Sequence, residues 1–298
     1  MIRSRRSVLL LPASSRHMAE KASTLDADEV VLDLEDAVAG DRAAKASARE
    51  QLVRSVRELD FHSRTLAVRI NRVGGPYSLE DLECVWRQVG AKIATLVVPK
   101  VSSPAQVTFL DLLLQSLEAE VSNPPRLGLE LQIEDPQGLE AVREIAGAAS
   151  RTEALIFGPG DFAAAMGMPQ LRIGAETAYP GDIWHYPLFQ ILAAARAHGL
   201  QAIDGPCSDI ADVGGLRASA ARAAQLGYDG KWVIHPSQLE AVNQAFTPSP
   251  EQVSHAEAIL GALDRKGGAS RLGGEMVDEA HRRMAQAVLR RARGTAPE

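Results

Sequence analysis

The stretch Val30-Val31-Leu32-Asp33-Leu34-Glu35-Asp36-Ala37-Val38 decides how this chain is to be read. Its front half is an unbroken apolar run rich in β-branched residues. That is the pattern of a strand covered on both faces, as parallel sheets require. Carboxylates then enter at Asp33, Glu35 and Asp36. A carboxylate inside an apolar run needs a cation or a hydrogen-bonding partner. The strand therefore has to end where such partners gather.

Seven further runs share this character. They are 7–12, 65–71, 95–101, 127–135, 154–161, 201–206 and 231–236, with the opening one spanning 29–36. Helical periodicity fills the gaps. Asp41 is placed to cap a helix, Ser103-Pro104 opens another that runs through Glu120, and Pro187 opens a third that Gly199 ends. Eight strand–helix units predict a (β/α)8 barrel over residues 1–247 rather than an open doubly wound sheet. No G-x-G-x-x-G follows the first run, which weakens the dinucleotide-binding alternative. Beyond Pro248 the spacing predicts two helices joined by the glycine-rich link G-G-A-S-R-L-G-G, read as a flexible hinge. Residues 248–298 are thus expected to form a C-terminal helical lid.

Composition narrows the function. A net charge of −6 with dispersed basic residues, and only 4% aromatic residues, argue against a nucleic-acid groove. The chain has no apolar stretch long enough for a membrane span, and the run after its basic start is too short for a secretory leader. Cys84 and Cys207 lie far apart without metal spacing, so a cytoplasmic, reduced protein is expected.

The chemistry of a barrel collects at the C-terminal ends of its strands. Those ends carry Glu35 with Asp36, Arg69, Lys100, Glu134 with Asp135, Asp161, Asp204 and His235. Glu134 and Asp161 end the fifth and sixth runs, which neighbour each other at about 4.8 Å in a sheet. Two carboxylates so close need a shared proton or a hard cation such as Mg2+, which takes oxygen ligands and keeps open positions for water or substrate. The alternative is two solvated acids. Arg69 interrupts A-V-R-I-N, where its planar fork suits a carboxylate or an enolate oxygen, or else an ion pair with Glu35 or Asp36. Arg16 and Lys21 follow the first strand at a helix start, a weak phosphate-binding pattern. Asp33 reads as structural, while Glu35 and Asp36 read as groups at the mouth that orient Arg69 or the metal's surroundings.

Taken in order, R-R-S-V-L-L-L-P-A-S-S, V-V-L-D-L-E-D-A-V, A-V-R-I-N, V-V-P-K-V, Q-I-E, F-G-P-G-D-F, I-D-G-P and G-K-W-V-I-H-P-S-Q resemble the HpcH/HpaI aldolase superfamily, in its citrate lyase β-subunit-like and malyl-CoA lyase-like branch. The likeness covers residues 5 to about 250. It implies a (β/α)8 barrel, a homotrimer or homohexamer, acting on acyl-CoA and 2-oxo acids with Mg2+, for which Mn2+ can substitute. It implies Glu134 and Asp161 as metal ligands, Arg69 and Gly160 with them at the substrate, and Arg16, Lys21, Ile234 and His235 against CoA. G-G-E-M-V-D-E-A-H-R-R-M-A resembles the lid segment of malyl-CoA lyase-like members, which places Asp278 over the site, often from a neighbouring subunit. Asp36, Arg69 and Asp278 are the expected catalytic groups. Many relatives read I-E-T where this chain reads I-E-D, so Asp135 adds a carboxylate beside the expected metal. Residues 179–185 look like a subgroup feature.

The reaction so implied is reversible carbon–carbon cleavage of a 3-hydroxyacyl-CoA. The rivals are a malyl-CoA-type thioesterase using the same site, an aldolase on free 2-oxo acids, and a non-catalytic CoA-binding scaffold.

Overall fold

The computed structural model describes residues 3–61, 65–169, 171–173, 181–266 and 268–293. Strands β1 (Ser7–Pro12), β2 (Glu29–Asp33), β3 (Thr65–Arg69), β4 (Thr95–Val98), β5 (Gly128–Ile133), β6 (Thr152–Phe157), β7 (Gln201–Asp204) and β8 (Gly230–Val233) pair in sequence order, all parallel, and β8 closes on β1. The expected eight-stranded barrel is borne out. Around it lie α1 (Arg16–Ala22), α2 (Arg42–Glu58), α3 (Ser78–Val89), α4 (Pro104–Glu118), α5 (Pro136–Glu140), α6 (Val142–Ala146), α7 (Pro159–Ala165), α8 (His185–Ala197), α9 (Val213–Leu226) and α10 (Leu239–Phe246).

The period of two along each strand sorts the core into two apolar clusters. Val30, Leu32, Leu66, Val68, Leu96 and Leu131 belong to the large cluster between sheet and helices. Val8, Val31, Ala67, Val97, Ile203 and Trp232 form a small one inside the barrel. Residues in step with this inner set therefore face the barrel axis: Glu29 and Glu130 below it, Asp33, Arg69 and Gln132 above it.

The floor is a buried ion cluster. Arg5 Nε donates to Glu29 Oε2 at 2.8 Å, and its Nη2 donates to Glu130 Oε1 at 3.0 Å and Glu153 Oε2 at 2.8 Å. Arg5 Nη1 donates to Gln201. Thr95 Oγ1 donates to Glu130 at 2.7 Å. Glu29 and Glu130 are fully buried, and each retains one oxygen without a hydrogen-bond partner.

Several strand ends fall short of the sequence expectation. The second strand stops at Asp33, not residue 36, because the Asp33 carboxylate accepts from the amides of Glu35 (2.8 Å) and Ala37 (3.0 Å) and turns the chain out of the sheet. The sixth stops at Phe157, so Asp161 lies in the first turn of α7 and not on a strand. Asp204 faces the helix layer: its carboxylate accepts from Lys231 Nζ at 2.6 Å, and Lys231 also donates to Ser219. The predicted caps hold at Asp41, whose side chain accepts from Ala44 N, and at Gly199, with φ +69°. The third helix begins at His185, ahead of Pro187.

At the C-terminus, α11 (Pro250–Lys266) and α12 (Glu279–Arg293) flank an antiparallel hairpin, β9 (Ser270–Leu272) and β10 (Glu275–Val277). The link read as flexible is thus largely a hairpin. Gly273 and Gly274, at φ +55° and +99°, supply its two-residue turn. Ala256, Ile259, Leu263, Val277 and Ala285 give this segment a small core of its own. Arg291 Nη2 ties α12 to the carbonyls of Gly227 (3.1 Å) and Tyr228 (3.3 Å). No described helix is long and apolar enough to cross a membrane.

Burial, then the neighbouring Glu130 carboxylate, raises Glu29 well above the carboxylate's ordinary 4.5. A group whose folded value is raised contributes stability that is complete below the unfolded value and is lost as pH rises through the folded one. Glu29→Gln should therefore flatten the decline in thermal stability above about pH 4.5. Melting curves of both proteins across neutral pH check this, and parallel curves refute it.

Candidate active site

The C-terminal rim is built around Arg69. The β2–β3 register places Asp33 beside Arg69 at the last pair of the ladder. The result is a two-pronged contact, Nε to Asp33 Oδ1 at 2.7 Å and Nη2 to Asp33 Oδ2 at 2.6 Å. Both side chains are buried. The guanidinium also lies 5.4 Å from the centre of the Trp232 ring beneath it. Asp33, read as structural, is thus the residue that aims Arg69. Glu35, expected in that part, is 3.4 Å from Arg69 Nη1, and Asp36 does not pair with it.

Lys100 takes Asp36 instead. Its ammonium contacts Glu35 Oε1 at 2.5 Å and Asp36 Oδ2 at 2.9 Å. Burial raises the proton affinity of Glu35 while Arg69 and Lys100 oppose it; against its own partial burial, Asp36 is held below the usual range by Lys100. The loop carrying both acids is pinned from below, since Lys45 Nζ donates to the carbonyls of Leu34 and Glu35 at 2.7 Å each.

Glu134 follows β5 and is 1% exposed. Its Oε1 accepts from Lys100 N at 2.6 Å and its Oε2 from Gln132 Nε2 at 2.6 Å. Burial first, and then the Asp161 carboxylate, push Glu134 well above the usual carboxylate range, with Arg69 pulling the other way. The two acids thus sense each other although Asp161 sits on a helix turn at the surface. A hard divalent cation relieves both burial and repulsion. The backbone makes room for Glu134: a Cβ on Gly158 would stand 2.5 Å from Glu134 Cβ and 2.6 Å from Oε2. This oxygen pair, with a glycine cradle behind it, fits an ion such as Mg2+. No cluster of three or more His, Cys, Asp or Glu side chains forms a metal site among the described residues, and two carboxylates suffice for an ion that keeps water or substrate as its other ligands.

The other expected residues are exposed or have local partners of their own. Arg16 is engaged by Glu20 and Glu58, both at 2.7 Å. Lys21 and Gly160 are exposed. Ile234 N donates to Gln238, and the exposed His235 bonds Ser237 Oγ at 2.8 Å through Nδ1. Asp278 caps α12, accepting from Ala280 N at 3.0 Å, and lies 2.7 Å from His281 Nδ1. Asp135, expected as an extra carboxylate at the metal, caps α5 by accepting from Gly138 N at 2.6 Å. Of residues 179–185, the first two lie outside the described residues; Trp184 packs edge-on against Phe157, with ring centres 5.6 Å apart.

Sequence reasoning missed Asp33 as a clamp, Lys100 and Gln132 as supports of Glu134, and Gly158. Asp33, Gln132 and Glu134 were legible from strand parity alone. Lys100 was marked only by its place at a strand end.

Two substitutions probe this framework. Asp33→Asn strips the charge from a buried pair and should cost about 3 kcal/mol in denaturant unfolding. Gly158→Ala should weaken Mg2+ or Mn2+ binding, measured by calorimetry, by about tenfold or more. Unchanged metal affinity would mean that Gly158 does not set the position of the Glu134 carboxylate.

The sequence matches the HpcH/HpaI aldolase/citrate lyase family over residues 6–236. It is similar to the L-malyl-CoA/beta-methylmalyl-CoA lyase of Cereibacter sphaeroides, 37% identical over 97% of this chain and 95% of that one. It is also similar to a (3S)-malyl-CoA thioesterase of the same organism, 35% identical over 98% of this chain and 95% of that one. Among solved structures, the CitE protein of Mycobacterium tuberculosis in complex with magnesium, acetoacetate and coenzyme A superposes with a TM-score of 0.75. It is 32% identical, over 96% of this chain and 97% of that one. Closed as a parallel barrel and matched along nearly its whole length, the chain belongs to the HpcH/HpaI aldolase/citrate lyase family.

Proposed function

We propose that the protein is a Mg2+-dependent carbon–carbon lyase. It reversibly cleaves a 3-hydroxyacyl-CoA such as malyl-CoA, β-methylmalyl-CoA or citramalyl-CoA into an acyl-CoA and a 2-oxo acid. The observation that carries this reading is a buried, raised carboxylate, Glu134, electrostatically coupled to Asp161 beside the clamped Arg69. The lyase named among its relatives supports it, as does the magnesium and coenzyme A bound by the CitE protein.

Glu134 and Asp161 hold the ion. Bound there, Mg2+ supplies a Lewis acid for the oxygens of the fragment that leaves as the 2-oxo acid. Arg69 is preorganised: Asp33 and Trp232 fix its plane, so no reorganisation is needed as negative charge grows on the substrate. Glu35 and Asp36 balance that rim through Lys100. Asp278 acts as proton donor or acceptor at the acyl carbon when residues 248–298 close as a lid, over its own barrel or a neighbour's in a homotrimer or homohexamer. Arg16, Lys21 and the Ile234–His235 pair receive CoA, Arg16 exchanging Glu20 and Glu58 for phosphates.

Hydrolysis of the same thioester is the second reading, favoured by the 35% identity to a thioesterase. Incubation with glyoxylate and acetyl- or propionyl-CoA, with and without Mg2+, separates the two by mass analysis. A condensed CoA ester that forms only with Mg2+ is the expected product. Free CoA without acyl-CoA from malyl-CoA would mean a thioesterase. Glu134→Ala and Asp161→Ala should each reduce metal-dependent turnover by about 100-fold or more.

A further inference from the structure

Arg69 spends its donors unevenly. Nε and Nη2 are committed to Asp33 at 2.7 and 2.6 Å. Nη1 has only long contacts, 3.5 Å to Gln132 Oε1 and 3.4 Å to Glu35 Oε2. Glu35 is buried, carries the opposite charge and is near enough to close on Nη1. It is held off by Lys100, whose ammonium takes Glu35 Oε1 at 2.5 Å, while Asp36 N donates to Oε2 at 3.1 Å, a weaker neutral contact that a guanidinium can outcompete. Lys100 is also the one non-glycine residue with positive φ (+54°) among the described residues. Left-handed backbone at such a residue is strained and persists only where the surroundings impose it. The same backbone turn points Lys100 N–H at Glu134.

We propose that Lys100 is a positioning residue that keeps Arg69 Nη1 open for an oxygen of the 2-oxo acid. By drawing Glu35 and Asp36 to itself it prevents an internal carboxylate from occupying the donor that substrate needs. This rests on the lyase reading for the identity of the ligand, but not for the geometry.

The two contributions of Lys100 separate by substitution. Lys100→Met removes the ammonium and leaves the backbone N–H on Glu134. A crystal structure of Lys100→Met should show Glu35 closed on Arg69 Nη1 at hydrogen-bond distance, about 2.9 Å. Calorimetry should then show glyoxylate or oxalate binding weakened about tenfold or more, because one charge-assisted contact is lost, while Mn2+ affinity is retained. In turnover, KM for the oxo acid should rise more than kcat falls. Glu35→Gln in the Lys100→Met background should recover much of the lost oxo-acid affinity, because the competing charge is gone; a merely structural lysine would not be rescued in this way. The proposal is overturned if Glu35 keeps its distance from Arg69 in the Lys100→Met crystal, or if the double variant binds no better than the single one. If the unmodified protein neither binds nor turns over a 2-oxo acid, the lyase reading fails, and the crystal structure alone still decides the geometry of Glu35 and Arg69.

Discussion

The rim depends on one buried ion pair. Asp33 and Arg69 end adjacent strands in register, so the last rung of the β2–β3 ladder becomes a carboxylate–guanidinium fork. A buried charge is tolerable only when paired and fully hydrogen-bonded. Asp33 meets that demand twice over, taking two prongs from Arg69 and two amides from the loop that follows. The same carboxylate thereby ends the strand, launches the loop that carries Glu35 and Asp36, and fixes the plane of the arginine.

Charge in the barrel is segregated by height. An acidic floor shares Arg5, an apolar layer of Val31, Ala67, Val97 and Trp232 lies above it, and a second ionic layer forms the mouth. The apolar middle keeps the floor's cation from neutralising the rim. At the mouth Asp33, Glu35, Asp36, Glu134 and Asp161 outnumber Arg69 and Lys100, the condition under which a divalent ion is welcome.

The barrel was legible because eight β-branched runs recur in order, each bounded by a helix start or stop. The positions of Arg69 and Glu134 were legible too, as charges that interrupt or end apolar strands. The exchanges of partner were not. Whether Asp33, Glu35 or Asp36 meets Arg69 depends on where β2 ends, and that was decided by a side chain capping its own loop. F-G-P-G-D reads as a continuation of A-L-I-F, which would carry the strand to Asp161; Pro159 instead starts a helix there. Asp135 looked like a metal neighbour because helix-capping and metal-binding carboxylates share one letter. The hairpin at 270–277 was hidden by the glycines that form its turn.

The floor ties together parts of the chain that are made far apart in time. Arg5 bonds Gln201, 196 residues later, and β1 pairs with β8. During synthesis Glu29 and Glu130 emerge long before Gln201 and the strand that completes the ring. Closure is thus a late, non-local event of the kind that slows folding. Until it happens the first strand presents an unsealed edge, open to pairing with other nascent chains.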